Sequence, residues 1–90
     1  MDISPEVKEK VSAAADALAK YKNFLPGAVN VFFIMMNTTI FTGKHLTEGG
    51  LSGVFATVSQ EDIKTVHAAL EAVLAERNKV LASGKDTSDQ

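Results

Sequence analysis

Histidine occurs at two positions, His45 and His67. A metal site needs several converging ligands, usually His, Cys or acids at fixed spacing. His67 and Glu71 stand one helical turn apart and would share a helix face, which makes two ligands without a third. His45 has Glu48 nearby and no further partner. The expected roles are structural: a hydrogen-bonded pair on a helix shoulder for His67 and Glu71, and for His45 a position favourable to a helix C-terminus. No metal and no cofactor are expected.

Acid–base or nucleophilic catalysis would need two carboxylates in an apolar pocket, or a His beside a nucleophile. The acids lie almost entirely among Lys and Ala in the first and last thirds of the chain, the pattern of solvated helix faces. Gly50-Leu51-Ser52-Gly53 falls one residue short of a Gly-x-Ser-x-Gly elbow. These features argue against an enzyme. The segment TEGGLSG could cradle a small anion or nucleotide through free backbone N–H groups, with Gly49, Gly50, Gly53 and Lys44 as candidate ligand-binding residues. It lacks the GxxxxGK[ST] pattern of a phosphate loop, so a plain connection is the competing reading.

Several function classes are removed by composition. A net charge of −2, with nine Lys and Arg interleaved among eleven acids, leaves no basic stripe for nucleic acid. Cysteine is absent, which excludes thiol chemistry. The chain opens MDISPEVKEK, without the basic-then-apolar order of a secretory signal, and a cytoplasmic location is expected. Ninety residues, 46% of them hydrophobic, fit one domain with a thin core. That domain is expected over residues 1–84, followed by a disordered polar tail at 85–90.

Any site must be positioned by three periodic segments. Ser4 and Pro5 start a helix, with Ser as cap and Pro at the first helical position. Val7, Val11, Ala14, Leu18, Tyr21 and Leu25 then alternate at four and three, predicting an amphipathic helix over about 5–24. Ser59 and Asp62 form an acid variant of the capping box, with Val58 and Ile63 placed for a hydrophobic staple. Ile63, Val66, Leu70, Val73 and Val80 carry a stripe interrupted at Arg77, so a second amphipathic helix is predicted over 60–83, ended by Gly84. Between them, Lys44 to Val58 reads as a glycine-rich connection with room for a short helical turn or strand.

The remaining stretch, Asn23 to Gly43, holds no charged residue and four of the five Phe. Its β-branched and aromatic residues favour strand, but Asn23, Asn30, Asn37 and Lys44 recur every seven residues. Seven residues return to one face of a helix and would alternate faces in a strand. A helix with one polar stripe, ending at Gly43, is therefore predicted after the break at Pro26 and Gly27. Its apolar heart, Ala28 to Phe41, is 14 residues and contains Asn and Thr, too short to span a membrane.

The fold expected is all-α: a small bundle of three helices, or four if the connection forms one, around an apolar central helix. The alternative is an α+β fold with residues 28–41 and 53–58 as strands. The neighbouring helices have little apolar surface with which to cover so apolar a cylinder. An uncovered remainder would form an interaction surface, with Val29, Phe32, Phe33, Met35, Met36 and Ile40 as candidate contact residues. The functional expectation is a small non-enzymatic protein-binding module (a regulator, adaptor or inhibitor) acting as a homodimer or higher oligomer. The alternatives are a nucleotide or small-molecule binder using the 47–53 loop at a subunit interface, and a structural subunit of a larger assembly.

Overall fold

The computed structural model describes residues 3–83, and they form four helices: α1 (Pro5–Ala19), α2 (Ala28–Thr42), α3 (Glu48–Val54) and α4 (Gln60–Ser83). No strand occurs among the described residues, so the α+β alternative is not supported. The tail at 85–90 and Gly84 lie outside the described residues. The apolar segment is helical in spite of its strand-forming side chains: tertiary burial of one face outweighs a propensity worth only tenths of a kcal/mol per residue. Gly43 ends it at φ 74°, donating its N–H to Thr39 O at 2.8 Å. Pro26 precedes the helix rather than opening it, since Gly27 is the cap and Ala28 the first helical residue.

The helix that touches all three others is α4; α1 and α2 also touch each other. Its buried stripe, Ile63, Val66, Ala69, Leu70 and Val73, meets Ala14 and Leu18 of α1, Ala28 and Phe32 of α2, and Leu51, Phe55 and Val58 from α3 and the turn after it. Alanines at 14, 28 and 69 let the helix backbones approach closely around Phe32, which is fully buried. The glycine-rich connection is thus a seven-residue helix, started by Thr47 Oγ1 accepting from Gly50 N at 3.1 Å and pinned to the core by Leu51.

At Ala19, five residues short of the predicted end, α1 stops. The chain tightens there into three-residue turns, with Tyr21 N donating to Leu18 O and Lys22 N to Ala19 O. Long-range bonding accounts for the change. Tyr21 Oη donates to Asp62 Oδ2 at 2.6 Å and accepts from Ser59 N at 3.1 Å, while Lys20 Nζ lies 3.1 Å from the same carboxylate. In an ordinary capping box the acid would reach back to the cap N–H. Here Asp62 N donates to Ser59 Oγ at 3.2 Å, but the return bond runs through the Tyr21 hydroxyl. The start of α4 is therefore closed by a residue 41 positions earlier.

The Tyr21 hydroxyl holds the Asp62 carboxyl below the usual carboxylate range, against the opposing effect of burial and with help from Lys20 and Ser59. A depressed folded value means that stability is present above the ordinary carboxylate range and lost as pH falls through the folded one. Asp62→Asn should lower the melting temperature at neutral pH and flatten the stability profile between about pH 5 and pH 2. A variant whose acid profile matches the parent would place the pH dependence on other carboxylates. Lys20 is mostly exposed, so Lys20→Ala should cost no more than about 1 kcal/mol.

Candidate functional site

On the sequence evidence Arg77 only interrupts a stripe; in the fold it ties α4 to the end of α2. Its Nε donates to Ile40 O at 2.7 Å, satisfying one of the carbonyls that a helix C-terminus leaves free. Nη1 turns to Asn78 Oδ1 at 3.0 Å. Gly43 makes room for this group, since a Cβ there would lie 2.8 Å from Nη1. The C-terminal end of α2 is thus anchored by a hydrogen bond, and its N-terminal half by Ala28 and Phe32.

The rest of α2 divides cleanly by angle. Ala28, Phe32 and Thr39 are buried, and Val29, Val31, Met35, Met36 and Ile40 are half-buried on either side of them. Asn30, Asn37, Thr38 and Thr42 face solvent together with Phe33, Ile34 and Phe41. The Asn residues therefore mark the middle of the outer face, and the apolar residues nearest them stay uncovered. Phe41 is 83% exposed and Ile34 63%. Phe33 is 38% exposed and leans on Phe32, with ring centroids 5.5 Å apart and planes tilted by 50°.

Of the six predicted contact residues, Phe33 therefore offers substantial surface and Val29, Met35, Met36 and Ile40 offer edges. Phe32 is a correction: it is sealed in its own chain's core and has nothing to present to a partner. Ile34 and Phe41 were missed, although their spacing could have found them. They stand three and four residues from Asn37, beside the polar stripe, and so on the same outward face.

A groove of about 580 Å³ runs along this face, lined by Ile34, Met35, Thr38, Thr42, Lys44, His45 and Leu46. Its threonines contribute little polarity. Thr38 Oγ1 donates to Ile34 O at 3.0 Å and Thr42 Oγ1 to Thr38 O at 2.8 Å, so both hydroxyls are spent on the helix backbone. Lys44 sits at the groove, but Gly49, Gly50 and Gly53 lie in α3 and do not line it. The structure separates the residues predicted to bind a ligand together.

Beside the groove, the two histidines meet edge to face with ring centroids 5.2 Å apart. His67 Nδ1 lies 3.5 Å from Glu71 Oε1 and 3.9 Å from Glu48 Oε2, and His45 Nδ1 contacts Leu46 O at 2.9 Å. The fold thus adds Glu48 and His45 to the predicted His67–Glu71 pair. These contacts link the entry to α3 with the side of α4. Among the described residues no group of three or more His, Asp or Glu could hold a metal ion. None of the described helices is long and apolar enough to cross a membrane.

What this arrangement offers chemically is an uncharged, largely apolar helix face, anchored at both ends, next to a groove. No protein-family model, curated protein or solved structure matches the chain, so any functional reading rests on this face.

Proposed function

We propose that this protein is a small non-enzymatic binding module that associates with its own copies through the outer face of α2. The observation that carries the reading is the exposure of Phe33, Ile34 and Phe41 on one face of a helix with no formal charge. Three large apolar side chains in one contiguous patch beside a groove are what a covered interface uses, whereas isolated exposed apolar residues are ordinary. Met35 and Met36 at the margin supply adaptable contact. A regulator or adaptor built this way would present α1 and the outer side of α4 to further partners.

Light scattering tests it directly. The parent protein should exceed its 9.6 kDa monomer mass at micromolar concentration, and Ile34→Glu should return it to that mass with its helical circular dichroism intact. A parent that stays at 9.6 kDa across that range would sink the proposal.

A further inference from the structure

The outer face of α2 has a symmetry of its own. Reading outward from Asn37 in both directions, Ile34 and Ile40 stand three residues away and Phe33 and Phe41 four away. All four fall within about 60° of Asn37 around the helix, so they share its face. Asn37, Phe33, Phe41 and Ile34 are exposed and Ile40 is half-buried. The face therefore has nearly the same composition read in either direction along the helix, as an antiparallel contact between identical helices requires.

We infer that two copies of the chain pair antiparallel through α2, with the two-fold axis passing at Asn37. The inference rests on the self-association proposed above and adds its geometry. In an isologous contact each residue meets the one equally far on the other side of the axis. Phe33 then meets Phe41 of the second copy, and Ile34 meets Ile40, twice each. Asn37 meets Asn37. Its amide has both donors and an acceptor, so it can bond to its own image where a charged side chain would repel itself. A polar residue among apolar ones at such a position sets register, as a single buried Asn does in coiled coils.

Charge favours this direction over the parallel one. A parallel pair would align the two helix dipoles unfavourably, whereas an antiparallel pair opposes them. The groove walled by Ile34, Thr38 and Thr42 runs alongside the aromatic ridge and gives the second copy's ridge space to sink, as ridges-into-grooves packing needs.

Since the chain has no cysteine, single cysteines report the geometry directly. Under mild oxidation Asn37→Cys should shift to twice the monomer mass, because on-axis Cα atoms can reach the roughly 4.4–6.8 Å of a disulfide. Asn30→Cys should not, since its two copies would lie about 20 Å apart along the helices. A mixture of Phe33→Cys and Phe41→Cys should yield the mixed disulfide, with neither variant crosslinking alone.

Charge substitutions give a second reading. Asn37→Asp should weaken association at least about tenfold, because two carboxylates would face each other. Asn30→Asp should change it little, because its two carboxylates would lie about 20 Å apart along the helices and be screened. If the protein associates but Asn37→Cys stays uncrosslinked, or the two Asp variants weaken it equally, the register is wrong and the self-association stands. If every variant and the parent remain monomeric, both fall.

Discussion

Replacing Phe32 by Ala should destabilise the protein by about 3–5 kcal/mol, the range for emptying a fully buried aromatic site. A domain of this size has roughly 5–15 kcal/mol in total, so that single change removes about a fifth of it or more. The effect is large because Phe32 fills the centre of a core built mainly from Ala, Val and Leu, where alanines at 14, 28 and 69 have no longer side chain to move into the void. Phe24 provides the control. It is 77% exposed and lies off the proposed interface, so Phe24→Ala should stay within about 0.5 kcal/mol. Urea unfolding of the two variants at one protein concentration measures the difference. Equal midpoints would mean that Phe32 is not the core residue described here.

Gly43→Ala should be nearly as damaging, although it adds only a methyl group. Two costs combine. A left-handed backbone at φ 74° disfavours any L-residue by about 1–2 kcal/mol. The new Cβ would also sit 2.8 Å from Arg77 Nη1 and 3.0 Å from Cζ. A free arginine tip would swing aside cheaply, but this one is held by the Nε bond to Ile40 O. Moving it breaks a charge-assisted hydrogen bond of about 1.5–3 kcal/mol. Arg77→Ala alone loses the same bond and leaves the carbonyl without that donor. The double variant should therefore cost less than the sum of the singles by about 0.5–3 kcal/mol, the coupling expected of residues in contact. Additivity in that cycle would show that the two positions do not communicate.

The same pair of residues shows where reading from sequence stops. Gly43 was legible as a helix end, because glycine is the residue that tolerates the left-handed position there. Arg77 was legible only as a fault in an apolar stripe. Its acceptor is 37 residues away in the chain, and no local pattern links them. Asp62 is a parallel case. Its place in a capping box followed from Ser59 three residues before it, but the hydroxyl of Tyr21, which completes the cap, comes from the turn after α1.

What the sequence determined by itself was whatever depends on local spacing. The seven-residue spacing of Asn23, Asn30, Asn37 and Lys44 marked the charge-free stretch as a helix against its own strand propensities, although only Asn30 and Asn37 lie within α2. Ser4-Pro5 and Ser59 set helix starts, and the four-and-three stripes picked out Val7, Leu18, Ile63, Val66, Leu70 and Val73 as core residues. Only the tertiary structure decided which side of α2 is covered. The helix is apolar over most of its circumference, so its periodicity hardly distinguishes Phe32 from Phe33 or Phe41. That choice depends on where α4 and α1 lie, and they close over Ala28, Phe32 and Thr39. The polar stripe, which showed that the segment is a helix, came to mark the middle of the face left open.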